Sequence, residues 1–169
     1  MLRWLALTAV AFSVLATPAV AAQVVDAPAV LADALPDAQK ARIPVLVPSR
    51  VNLDYKQGGE VFAAGDGSKR DKVYSLTLSA AKNCTGNACF LAEFTGEKGK
   101  PLGYRSTNVS LALGQKGYYT RGSCGASCAP PSIQWVQKGV RYEIQAKALG
   151  GKAAFVKMAN SAIRNGNRK

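Results

Sequence analysis

Four cysteines and a set of basic and aromatic residues are the parts of this sequence with chemistry to offer. Cys84-Thr85-Gly86-Asn87-Ala88-Cys89 and Cys124-Gly125-Ala126-Ser127-Cys128 are short loops, each bounded by two thiols. Such pairs either hold a metal as thiolates or close as disulfides. Zinc is not expected, because the chain contains 0 histidines and its first residues direct it to an oxidising compartment. Two disulfides are expected instead. The local pairings Cys84–Cys89 and Cys124–Cys128 are favoured by geometry, while spacing alone leaves the long-range pairings open.

The second constellation is Tyr118, Tyr119 and Arg121, followed by Lys138, Arg141, Lys147 and Lys152. Guanidinium and ammonium groups hold phosphates and carboxylates, and tyrosine rings beside them stack on sugars or cations. From Arg121 to Lys169 nine basic residues face Glu143 alone, a net of +8; from Ala22 to Thr120 twelve face nine, a net of +3. A basic surface outside the cytoplasm meets anionic lipid headgroups, lipopolysaccharide or acidic polysaccharide, so nucleic acid is not the expected partner. The competing reading is a solvated face whose charge keeps an exported protein in solution.

Catalytic chemistry is poorly supplied. Without histidine the usual general base, the common triads and most catalytic zinc sites are missing. Gly122-Ser123-Cys124-Gly125 lacks the spacing of a nucleophile elbow, and no glycine-rich stretch matches a phosphate cradle. Glu93 and Glu143 fall on strand patterns, with nothing in the sequence to pair them. No enzymatic activity and no cofactor are expected.

The compartment is read from the N-terminus. Arg3 precedes the uncharged apolar run Trp4–Leu15, and Pro18-Ala19-Val20-Ala21-Ala22 offers small residues for cleavage after Ala21 or Ala22. Twelve residues rise only ~18 Å as a helix, too short for a hydrocarbon core of ~30 Å. Residues 1–22 are therefore expected to be a signal peptide, with the product periplasmic or secreted and without a transmembrane span. The first cysteine is Cys84, so no lipidated N-terminus is expected. About 147 residues then remain, enough for one domain with a core.

These residues must be positioned by strands. Residues 23–42, rich in Ala and interrupted by Pro28 and Pro36, read as a loosely held arm. Residues 43–164 read as a single α+β domain. Ile43–Ser49, with Pro44 and Pro48, suits an edge strand. Gly58-Gly59 and Gly65-Asp66-Gly67 read as turns around a short Val61–Ala64 element. Tyr74, Leu76 and Leu78 alternate with Ser75, Thr77 and Ser79, predicting a half-buried strand. Cys89–Thr95 returns beside it, with Phe90, Ala92 and Phe94 inward. Val109, Leu111 and Leu113 predict another strand. Gln115-Lys116-Gly117 and Gln137-Lys138-Gly139 both read as three-residue hairpin loops with glycine at φ > 0. Ser132–Gln137 and Val140–Gln145 form the last hairpin. Phe155, Met158, Ala159, Ala162 and Ile163 then form a helical stripe. Residues 165–169 are a basic tail.

The pattern Trp135-Val136-Gln137-Lys138-Gly139-Val140-Arg141-Tyr142-Glu143-Ile144, followed by Met158-Ala159-Asn160-Ser161-Ala162-Ile163, resembles the close of certain small exported bacterial domains. More distantly it is similar to lipoprotein-carrier-like half-barrels. The resemblance covers about thirty residues. It implies a curved antiparallel sheet of about six to eight strands, half-barrel-like, packed by a C-terminal helix. A concave apolar face holding acyl chains or a peptide would follow, and no ligand residue carries over. The sequence thus points to an exported binding protein for an anionic or lipidic envelope component. The alternative is an inhibitor or immunity protein that uses its stapled loops on an exported protein partner, such as a hydrolase.

Overall fold

The computed structural model describes residues 22–165 apart from 85, 105, 126 and 127. Most of the expected signal peptide, residues 1–21, and residues 166–169 of the basic tail lie outside the described residues. In chain order the elements are β1 (Ala22–Asp26), α1 (Ala27–Val30), α2 (Leu35–Gln39), β2 (Arg50–Lys56), β3 (Phe62–Ser68), β4 (Val73–Ser79) and β5 (Phe90–Lys98). Next come β6 (Val109–Ser110), β7 (Lys116–Thr120), β8 (Ser123–Cys124), β9 (Cys128–Ala129), β10 (Ser132–Gln137), β11 (Val140–Ala146) and α3 (Gly151–Asn165).

Alternation of apolar and polar side chains builds a seven-stranded antiparallel sheet in the order β3-β4-β5-β11-β10-β7-β6. Its register aligns Leu76, Phe94, Ile144, Ile133 and Tyr119 in one row across the strands, all buried. Tyr74, Tyr142 and Trp135 lie in the next row, and the Trp135 and Tyr142 rings stack at 5.4 Å. The opposite face carries Ser75, Thr95, Glu143 and Tyr118. α3 buries the expected stripe, Phe155, Met158, Ala159, Ala162 and Ile163, and Phe155 meets the Tyr119 ring at 5.4 Å. The fold is the α+β arrangement of antiparallel sheet and C-terminal helix that the pattern implied.

The N-terminal segment departs from the expected loose arm. β1 pairs with β2, and Ala27, Leu31, Ala38 and Ala41 belong to the same core as the sheet. Pro28 and Pro36 sit in the first turns of α1 and α2, where a missing N–H costs nothing, so they start helices instead of breaking a longer one. In the Ile43–Ser49 segment Ile43 and residues 45–48 are buried and Pro44 is exposed, and the segment belongs to no strand. Tyrosine hydroxyls bond its backbone: Leu46 N–H donates to Tyr74 Oη at 3.0 Å, and the Tyr142 hydroxyl donates to the Pro44 carbonyl at 3.2 Å.

Gly65-Asp66-Gly67 is strand, not turn. Both glycines face α2, and a Cβ on Gly65 would stand 2.2 Å from the Ala34 carbonyl oxygen. Glycine here permits helix backbone to approach strand backbone. The strand expected over Val109–Leu113 stops at Ser110, because the chain turns at Ala112–Gly114 and Leu113, at φ +54°, is 72% exposed. The Asn160 carboxamide of α3 accepts from Ala112 N–H at 2.6 Å and holds that turn. Gln115-Lys116-Gly117 is not a hairpin loop either; Gly117 lies within β7, opposite Trp135. Its counterpart is a turn, but of two residues: Gln137 pairs with Val140, leaving Lys138 and Gly139 at φ 51° and 74°, the type I′ arrangement. Leu91 is an additional core residue in β5, where the β4–β5 register shifts and Phe90 is only half-buried.

Candidate functional site

β7 carries adjacent tyrosines to opposite faces of the sheet, Tyr119 into the core and Tyr118 onto the polar face. Asn108 locks this strand from the side. Its Oδ1 accepts from Tyr119 N–H at 2.8 Å, and its Nδ2 donates to the Tyr119 carbonyl at 2.9 Å. A side chain thereby continues the β6–β7 ladder where backbone pairing ends. The first turn of α3 comes alongside, and Lys152 Nζ donates to the Asn108 carbonyl at 2.9 Å.

Between them lies a groove of about 600 Å³, lined by Asn108, Tyr118, Tyr119, Thr120, Arg121, Gly151 and Lys152. Its volume is within the range of small-ligand clefts. Tyr104 is not part of the lining but touches two residues that are: its ring stacks on Tyr118 at 3.9 Å and 17°, and Thr120 Oγ1 donates to its hydroxyl at 2.9 Å. Among the described residues no carboxylate is ion-paired with Arg121 or Lys152. The groove therefore presents two cations, hydroxyls and tyrosines without an internal counter-charge.

Of the residues singled out by sequence, Tyr118, Tyr119, Arg121 and Lys152 come together here. The other three do not. Lys138 sits in the β10–β11 turn, at the far end of that hairpin. Arg141 lies on the polar sheet face and donates to Glu97 Oε2 at 2.7 Å. Lys147 donates to the Asn87 carbonyl, away from the groove. The basic C-terminal unit is thus divided among four places, because strand alternation and the hairpin distribute its charges by position. Asn108, Thr120 and Tyr104 were missed; only the folded chain brings them to β7.

The polar face also gathers carboxylates. Glu143 lies opposite Thr95, so Glu93 and Glu97 flank it diagonally. Each already has a donor: Ser75 Oγ to Glu93 at 2.7 Å, Gln134 Nε2 to Glu143 at 2.9 Å, and Arg141 to Glu97.

The cysteines pair locally, Cys84 with Cys89 and Cys124 with Cys128. The first bridge staples the β4–β5 turn, and the second closes the β8–β9 hairpin. Asn87 Nδ2 donates to the Cys128 carbonyl at 3.1 Å, joining the two loops. A cleft of about 490 Å³ between them is walled by Ala88, Ala129, Pro130 and Pro131, with Lys147 at its margin. Among the described residues no helix is long and apolar enough to cross a membrane. Compared with known proteins, the chain matches no family model, no curated sequence and no solved structure.

Proposed function

We propose that this chain is an exported, non-catalytic binding protein that holds an anionic cell-envelope ligand in the groove between β7 and the start of α3. The observation that carries the reading is the convergence of Arg121 and Lys152 with Tyr118 and Thr120 around one cavity, with no carboxylate in its lining. Charge-assisted hydrogen bonds from such groups are about twice as strong as neutral ones. The absence of histidine and the paired state of Glu93, Glu97 and Glu143 support a non-catalytic role.

The half-barrel resemblance enters this reading as a frame of sheet and helix. Its implied acyl-binding concavity is not part of this reading, in which the buried Leu46, Trp135 and Phe155 serve as core. The test is retention of the exported, disulfide-bonded protein on immobilised lipopolysaccharide and on a heparin-type matrix. Arg121→Glu with Lys152→Glu should abolish retention, and Lys138→Glu should leave most of it. Retention unchanged in the double variant refutes the groove.

One observation favours a second reading, inhibition of an exported protein. The two stapled loops are tied together by Asn87 and present a shared apolar cleft. Affinity capture from the periplasm that loses its protein partner on Pro130→Asp substitution would support it; capture of no partner removes it.

A further inference from the structure

We propose, building on the anionic reading of the same groove, that its ligand is an acidic saccharide whose carboxylate meets Arg121 and Lys152 while its sugar ring lies against the tyrosine pair. The lining itself makes the choice. Asn108, Tyr118, Tyr119, Thr120, Arg121, Gly151 and Lys152 include no aliphatic side chain. An acyl chain gains its affinity from apolar contact and finds no aliphatic wall there. A lone phosphate would use the two cations, but it needs neither a groove of about 600 Å³ nor rings.

A sugar uses each of these features. Its C–H face packs on an aromatic ring, and its hydroxyls seek donors and acceptors at the edge. Tyr104 and Tyr118 form a near-parallel stack beside the groove, and Tyr104 is 38% exposed. The Tyr104 hydroxyl accepts from Thr120, which leaves its own proton free to donate. Lys152 gives one N–H to the Asn108 carbonyl and keeps two. Arg121 offers a planar fork suited to a carboxylate.

Aliphatic walls are found elsewhere. Val24, Ala154 and Met158 line a groove of about 410 Å³ between the β1–β2 ribbon and α3, and Val24 is 60% exposed. A lipid would be expected in that groove. The two ligand classes are therefore separable by substitution.

The experiment uses the full chain, exported so that processing and disulfide formation occur. It is titrated with a galacturonic acid trimer, the methyl ester of that trimer, inorganic phosphate and phosphatidylglycerol vesicles. The trimer is expected to bind, with amide shifts at Tyr118, Thr120 and Arg121 in NMR spectra of the unsubstituted protein. The methyl ester should bind at least about tenfold more weakly, since it loses the charge-assisted bonds. Arg121→Glu with Lys152→Glu should abolish trimer binding. Tyr104→Ala, an exposed position, should weaken it about tenfold through lost stacking. Far-UV spectra and thermal unfolding identify any variant that misfolds, and the NMR arm needs no variant.

Equal affinity for phosphate and trimer, insensitive to Tyr104→Ala, overturns the saccharide inference and leaves an anion site. Binding to vesicles alone, lost on Val24→Asp and kept in the double charge variant, overturns it in favour of lipid. Binding to none of the anionic probes overturns both this inference and the anionic reading on which it rests.

Discussion

Replacing Gly65 by alanine tests the placement of the N-terminal helices on the sheet. The new Cβ would stand 2.2 Å from the Ala34 carbonyl oxygen, 3.0 Å from its carbonyl carbon and 3.2 Å from its Cβ. At Gly67 the corresponding distances are 2.4 Å to the Asp37 oxygen and 2.7 Å to the Ala38 oxygen. The closest of these are backbone atoms of α2 and of Ala34, which caps it, so no rotamer change relieves the clash, and α2 must retreat by roughly 1 Å. A gap of that size forfeits up to about half of each dispersion contact beneath it, including those of buried Ala34 and Ala38. Overpacking costs about 1–3 kcal/mol, and rigid backbone puts this site near 3 kcal/mol. At about 2–4 °C per kcal/mol for a chain of this size, Tm should fall by roughly 6–12 °C. Gly86→Ala is the control: nothing lies within 4 Å of its Cβ and its φ is ordinary, so alanine should be neutral or slightly stabilising. Thermal unfolding followed by circular dichroism reads both. A Gly65→Ala protein melting within about 1 °C of the unsubstituted chain refutes the packing of α2 on β3.

Alkaline pH should unfold the protein through its buried tyrosines. Burial raises Tyr142 to about 12 and lifts Tyr74 further above the ordinary phenol value of 10.0. The unfolded chain releases those protons first, so this contribution to stability is complete below about pH 10 and is lost as pH climbs from 10 through 12. Tyr142→Phe should lose less stability over that window in urea titrations, and an equal loss refutes the assignment. The disulfides span sequence separations of only 5 and 4, so each should contribute about 2 kcal/mol by constraining the unfolded chain. Urea midpoints of the Cys84→Ser/Cys89→Ser and Cys124→Ser/Cys128→Ser variants measure this; a loss near 5 kcal/mol from either would show that the loops hold more than their own turns.

What the sequence determined by itself is local and periodic. Two-residue alternation identified the strand of Tyr74, Leu76 and Leu78 and the hairpin of Trp135 and Tyr142, because one sheet face is buried and the other is wet. The stripe from Phe155 to Ile163 identified α3 for the same reason at helical period. Short loops between cysteines made the local disulfides the favoured pairings. The tertiary structure decided whatever depended on distant chain. Alanines at 27, 38 and 41 have weak local signals, yet their small size lets helices lie on the sheet. Gly65 and Gly67 read as turn residues until α2 stood over them. Leu113 broke the alternation because Asn160, from α3, holds the chain in a turn. The candidate groove is of this second kind. Arg121 and Lys152 were visible as charges, but they face a common cavity only because Asn108 and the start of α3 close its sides. The sequence gap between them is spanned by the four strands β8 to β11, and no local preference encodes that closure.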